Sequence, residues 1–224
     1  MTRVHVLTVF TGPEGRGGNP LGVIVTGSSV PPSERQAMAA RLGYSETVFV
    51  DDPEQGTIRI FTPRRELAFA GHPTVGTGWL LARLGFPGDV LRPSAGEVPT
   101  WRADGGSWIR ARAEWVHRID LQQLPTATEV DELDGPPEGG SGSWYPWAWV
   151  DEAAGVLRSR YFYPAGGIAE DEATGAAAVL IGERLGRPLE IHQGTGSVIH
   201  VRPGPDGTVE IGGSVEVVEI REIV

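Results

Sequence analysis

Apolar, β-branched runs alternate with glycine- and proline-rich breaks over most of this 224-residue chain, the pattern of many short strands joined by frequent turns. Val4–Phe10 and Leu21–Thr26 are two such runs, and the Gly15–Asn19 turn between them makes the pair a hairpin. Ser33 stands where an N-cap is expected for a helix over Glu34–Leu42, which Gly43 ends. Strand-like runs follow at Glu46–Val50 and Thr57–Thr62. After Pro63 and the Glu66–Ala70 segment, a Gly71-His72-Pro73 turn leads into a helix over Thr74–Leu84, stopped by Gly85. In the middle of the chain, Thr100–Arg112 reads as a hairpin about Asp104-Gly105-Gly106, and Asp134–Ser143 has the composition of a loop. Trp144–Val150 and Leu157–Tyr163 read as strands, Glu172–Leu185 as a helix ended by Gly186, and Leu189–His192, Val198–Arg202 and Thr208–Ile223 as closing strands.

An internal similarity organises these elements. Phe61-Thr62-Pro63 through Arg83-Leu84-Gly85 resembles Phe162-Tyr163-Pro164 through Arg184-Leu185-Gly186, at an offset of 101 residues at both ends. Each copy runs strand, proline, short loop, small-residue turn and helix, and gaps in the loop align Gly76 with Gly175. A duplication is favoured over a chance likeness of two β-turn-helix units. It implies two similar α/β lobes whose helix N-termini face each other across a cleft.

Composition narrows the functional classes. Hydrophobic residues at 40% and charged residues at 21% are ordinary for a globular protein. A net charge of −10 with scattered Lys and Arg argues against a nucleic-acid partner, yet leaves room for a small anionic ligand at a locally positive site. The absence of cysteine removes disulfides, zinc-thiolate sites and thiol catalysis. No apolar run approaches the ~20 residues that span a bilayer, and the first ten residues lack a signal-peptide layout, so the expectation is a cytoplasmic protein with no membrane partner.

The chemistry concentrates at the two glycine-rich turns and at one acid. Helix N-termini carry unpaired N–H groups and partial positive charge, so two of them at a cleft hold an anion without Lys or Arg. Gly71, His72 and Gly76 belong to the first turn, and Asp171, Gly175 and Ala176 to the second. The alternative, that these glycines serve only helix–sheet packing, stays open, as does Asp171 as a plain helix N-cap. His72 and Asp171 stand at matching places, where a carboxylate would set the imidazole tautomer for proton transfer or substrate binding. Glu46, where a helix gives way to an apolar strand, is either an exposed loop acid or a carboxyl of raised pKa able to take and return a proton.

Four motifs in order, Gly18-Asn19-Pro20, Ser45-Glu46-Thr47, Thr62-Pro63 with Glu66-Leu67 and Gly71-His72-Pro73, and Glu170-Asp171 with Thr174-Gly175, resemble the PhzF-like family of phenazine biosynthesis. The resemblance implies an α+β, diaminopimelate-epimerase-like fold of two pseudo-symmetric lobes, each a β-barrel-like sheet around a central helix. The implied division is 1–98 plus 213–224 for the lobe with Glu46 and His72, and 99–212 for the lobe with Asp171. It also implies a homodimer and a cofactor-free, metal-free isomerase that shifts a proton on a small carboxylate-bearing metabolite. Glu46 would be catalytic, and Asn19, Gly71, His72, Gly76, Asp171, Gly175 and Ala176 would bind substrate. Ala176 stands where the family usually has serine, and the segment between Leu84 and Trp144 is short for the family. A non-catalytic binding protein and a cysteine-free epimerase are the competing readings.

Overall fold

The computed structural model describes residues 1–137, 140 and 142–223. The loop expected over Asp134–Ser143 thus falls partly, at Glu138, Gly139 and Ser141, outside the described residues. The first part of the chain runs β1 (Thr2–Thr11), β2 (Asn19–Ile24), α1 (Pro32–Leu42), β3 (Glu46–Asp52), β4 (Thr57–Phe61), β5 (Glu66–Leu67) and α2 (Gly71–Leu84). Then come β6 (Val90–Leu91), β7 (Val98–Ala103), β8 (Gly106–Ala111), β9 (Asp120–Gln123), α3 (Ala127–Asp131), β10 (Trp144–Asp151) and β11 (Val156–Ser159). The last part holds α4 (Gly175–Leu185), β12 (Leu189–Gln193), β13 (Ser197–Pro203) and β14 (Val209–Ile223). The strands at β6 and β9 and the helix α3 were not visible as patterns, because each is five residues or shorter.

β14 joins two sheet/helix lobes. From Ser214 onward it pairs antiparallel with β1, whereas Val209–Gly213 pair with β8 and Val209–Gly212 with β13. On one side the sheet continues β1-β2-β3-β4-β5, with β2 and β3 parallel around the α1 crossover, and on the other β13-β12-β11-β10-β9. The first sheet is buried on both faces, which is why β1 reads as a continuous apolar run. Val4, Val6, Ile24, Phe49 and Phe61 face Met38 and Ala39 of α1, whereas Leu7, Val9, Leu21, Val48 and Ile60 face the main core around α2.

Small residues explain why a helix fits inside each lobe. Every residue of α2 from Gly71 to Leu81 is buried except Trp79, and only the last turn, Ala82–Leu84, reaches solvent. Strands approach where α2 lacks side chains: a Cβ at Gly76 would lie 2.6 Å from Leu21 Cδ2, and one at Gly78 would lie 3.0 Å from Thr100 Oγ1. Gly182 does the same in α4 against Val201 and Val209. Strands β7 and β8, placed with the second lobe when the chain is divided at 98/99, lean on α2, where the Ser107 hydroxyl donates to the Val75 carbonyl at 3.2 Å. Arg92, just past β6, accepts from Ile58 N–H and donates to the Gly56 carbonyl, linking that strand to β4.

Both α2 and α4 start elsewhere than their patterns suggest. α2 begins at Gly71, so Gly71-His72-Pro73 is its first turn and not a lead-in. α4 begins only at Gly175, and its N-cap position is Thr174, not Asp171. Ser33 is likewise inside α1, because Pro32, with its preset φ, starts that helix two residues earlier than Glu34. The C-terminal ends fall as expected, with Gly43, Gly85 and Gly186 in the left-handed conformation. Among the described residues no helix is long and apolar enough to cross a membrane.

Candidate active site

The starts of α2 and α4 abut. A Cβ on Gly71 would come within 2.7 Å of the Gly175 backbone, and one on Gly175 within 2.8 Å of His72 N, so only glycine allows this approach. The backbone contact therefore pairs Gly175 with Gly71 and not with Gly76. Neither helix has a side-chain cap, so no side chain satisfies the first-turn N–H groups at the junction.

A cavity of about 220 Å³ opens beside this junction, with Glu46, Ala70, Asp171, Thr174 and Ala176 on its inner wall. Gly71 and His72 lie directly behind Ala70 and are buried, as is Asn19 behind Asp171. Gly76 is absent from the lining: it packs against Leu21 and Val9 on the far side of the helix.

Glu46 opens β3, and its Oε2 is buried without a hydrogen-bond partner. His72 Nε2 lies 3.4 Å away, also unpartnered and outside hydrogen-bond geometry. Burial, and then the negative field of Asp171, raise the Glu46 pKa well above the usual carboxylate range. Burial drives the His72 imidazole down to about 3, against a smaller opposing effect of its hydrogen bond to the Pro20 carbonyl. His72 is therefore neutral. Since Nε2 has no partner, the N–H that meets Pro20 is on Nδ1, and the bare Nε2 lone pair faces Glu46. The carboxylate beside His72 is thus Glu46 and not Asp171, and the Pro20 carbonyl, not a carboxylate, sets the tautomer.

Asp171 is held by groups from three parts of the chain. Asn19 Nδ2 donates to its Oδ1 at 2.7 Å and to the Ala173 carbonyl at 2.9 Å, and Thr174 Oγ1 donates to its Oδ2 at 2.6 Å. Ser45 Oγ donates to Asn19 Oδ1 at 3.0 Å and reaches Asp171 Oδ1 at 3.5 Å. Burial still raises the Asp171 pKa, with these hydrogen bonds pulling the other way. Behind them Gln193 clamps the turn: its Nε2 donates to the Asp171 carbonyl and to Thr174 Oγ1, and its Oε1 accepts from Thr174 N–H. Ser45 and Thr174 sit within motifs read from the sequence, but Gln193, at the end of β12, has no local signal.

The outer part of the cavity is built from residues the sequence did not single out. Arg64 and Arg65 come from the β4–β5 connection, His117 follows β8, and Tyr161 and Tyr163 follow β11. His117 Nε2 lies 3.1 Å from Ser143 Oγ and 3.5 Å from the Tyr161 hydroxyl, and its ring stacks on Tyr163 with centroids 6.1 Å apart. Burial first, and the Arg65 charge second, lower its pKa. Among the described residues no group of three His, Asp or Glu side chains is placed to hold a metal ion.

The family model described as phenazine biosynthesis-like protein, PhzC-PhzF, matches residues 7–126, more than half of the chain. A trans-2,3-dihydro-3-hydroxyanthranilate isomerase of Pseudomonas fluorescens is 31% identical over 224 residues, covering 79% of this chain and 80% of its own. The isomerase of the same name from Pseudomonas chlororaphis is 30% identical over 246 residues, covering 92% and 81%. Among solved structures, a PhzF-family phenazine biosynthesis protein of Bacillus anthracis matches with a TM-score of 0.79 at 19% identity, covering 100% of this chain and 99% of that one. A hydroxyproline epimerase of Agrobacterium vitis matches with a TM-score of 0.61 at 10% identity, covering 98% and 91%. At those identities both structures speak to the fold alone, two lobes of sheet and helix. Because the family model spans Asn19, Glu46 and His72, and the isomerases align over most of both chains, the chain belongs to the phenazine biosynthesis-like family, PhzC-PhzF.

Proposed function

We propose that this protein is a cofactor-independent isomerase that moves a proton on a small carboxylate-bearing metabolite, with Glu46 as the acid/base. The carrying observation is the state of Glu46: its Oε2 is buried and unpartnered, beside a neutral imidazole, while the residue stands on the wall of a cavity. A carboxyl whose pKa is raised toward the working pH both donates to carbon and recovers a proton from it. The substrate carboxylate would rest against first-turn N–H groups of α2 and α4, which also stabilise negative charge that develops on the carbon framework. His72 would hold the Glu46 carboxyl in one orientation, and Asp171, itself held by Asn19 and Thr174, would accept hydrogen bonds from substrate polar groups. On this reading each sheet closes about its helix, as the Arg92 link between β6 and β4 supports for the first lobe, and bulk water is kept from the cavity.

The names of the related isomerases make trans-2,3-dihydro-3-hydroxyanthranilate the first compound to assay, in D2O, with deuterium at carbon read by mass spectrometry. Wild type incorporates deuterium, Glu46→Gln does not, and Glu46→Asp retains part of the rate. Undiminished incorporation by Glu46→Gln would overturn the assignment. A two-acid epimerase using Glu46 and Asp171 is disfavoured, because both oxygens of Asp171 already accept hydrogen bonds from Asn19 and Thr174.

A further inference from the structure

The cavity has two chemically different ends, and the reading above uses only the inner one. Arg64 and Arg65 are the two guanidinium groups on its lining. Both are exposed, and neither has a carboxylate within 4 Å among the described residues; other arginines such as Arg41, Arg83 and Arg102 share that state, so it is their place on the cavity that sets Arg64 and Arg65 apart. Arg64 is tied across the cleft by donating to the Ala165 carbonyl at 3.1 Å. The Arg65 side chain makes no hydrogen bond within the described residues, although its backbone is pinned through Thr62. Beside it the His117 ring, held by Ser143 and stacked on Tyr163, presents a flat aromatic surface. An unpaired guanidinium next to a planar aromatic pair suits a planar anion, because the fork geometry of arginine matches a carboxylate and the rings stack on an unsaturated frame.

We propose that Arg65, with His117 and Tyr163, forms a second anion subsite in this cavity, so that the cavity prefers a planar, unsaturated or aromatic-like ligand with a second acid group over its monoacid counterpart. One acid group faces the helix N-termini and the other faces Arg65. The proposal rests on the cavity being the active site, and it assigns Arg65 to substrate specificity, outside the proton-transfer step. A volume of about 220 Å³ admits a single six-membered ring with small substituents.

The test measures binding of benzoate and of the three benzenedicarboxylates, phthalate, isophthalate and terephthalate, by calorimetry at neutral pH. At least one diacid binds wild type about tenfold or more tightly than benzoate, the range expected for one charge-assisted hydrogen-bonded pair. Arg65→Gln abolishes that preference while leaving benzoate affinity within about twofold, and Arg65→Lys restores part of it. Ala176→Phe, which fills the cavity, removes binding of all four. Equal affinity of wild type for benzoate and every diacid overturns the proposal, as does a preference that survives Arg65→Gln. Diacid preference alongside undiminished deuterium incorporation by Glu46→Gln separates the two readings: the subsite then stands and the role of Glu46 falls.

Discussion

Replacing Asn19 with alanine removes a single amide that holds the second wall of the cavity in place. Its Nδ2 serves both Asp171 Oδ1, at 2.7 Å, and the Ala173 carbonyl, at 2.9 Å. Alanine leaves Oδ1 with only the long 3.5 Å contact to Ser45. A hydrogen bond to a charged group contributes about 1.5–3 kcal/mol and a neutral one about 0.5–1.5, so the expected loss is about 3 kcal/mol. For a chain of this size that is roughly 6–12 °C in melting temperature. The pH dependence is the sharper readout. The folded-state pKa of Asp171 lies above its unfolded value of 3.8 because of burial, so the native state binds the extra proton and this group's contribution to stability falls as pH rises between those two values. Asn19 is one of the hydrogen bonds that hold the folded pKa down, so Asn19→Ala raises it further and extends the falling window upward. The deficit of the variant against wild type, from urea denaturation, therefore grows between pH 5 and pH 8. A double-mutant cycle with Asp171→Asn returns a coupling of about 1.5–3 kcal/mol. A loss under about 1 kcal/mol, or a deficit flat across that range, refutes a stabilising Asn19–Asp171 carboxylate bond.

Four other perturbations probe the scaffold. Gly175→Ala places a Cβ 2.8 Å from His72 N and forces the two helix starts apart, costing about 2–3 kcal/mol in denaturant melts and lowering turnover. Gly186→Ala, with φ of +62° but open space around it, costs only about 1 kcal/mol, and equal losses for the two glycines would contradict the close-approach account. Arg35→Ala strips a buried guanidinium from Asp51, at 2.6 Å, and from the Val30 and Gly27 carbonyls, and a loss of about 3 kcal/mol is expected; a change below about 1 kcal/mol would show the network to be dispensable. At Glu210, burial works to raise the pKa, but the Arg202 and Arg110 guanidiniums more than offset it and the net shift is downward from 4.5. Its stabilisation is complete above that value and is lost as pH falls toward the folded pKa, so Glu210→Gln should cost about 1–2 kcal/mol at pH 7 and almost nothing near pH 3; a pH-independent cost speaks against the ion pairs.

Much of this was decided locally and so was legible in the chain itself. Strand runs such as Val4–Phe10 and Glu46–Val50, and the helix ends at Gly43, Gly85 and Gly186, depend on side-chain branching and on the freedom of glycine at positive φ, properties that travel with the residue. The four motifs singled out Asn19, Glu46, His72 and Asp171 only through the family resemblance they carry, and the structure gathers all four at one cavity. Tertiary structure decided the rest. Whether Gly71 or Gly76 meets Gly175 depends on where each helix starts and how two lobes dock, and so the contact fell five residues from the sequence alignment. The partner of His72, the clamp by Gln193 from β12, and the outer wall of Arg65, His117 and Tyr163 join segments tens of residues apart, which no local pattern encodes. Most of all, an acid at the start of an apolar strand becomes a carboxyl of raised pKa only when packing removes its water and sets Asp171 opposite it, because desolvation belongs to the assembled site and not to the residue.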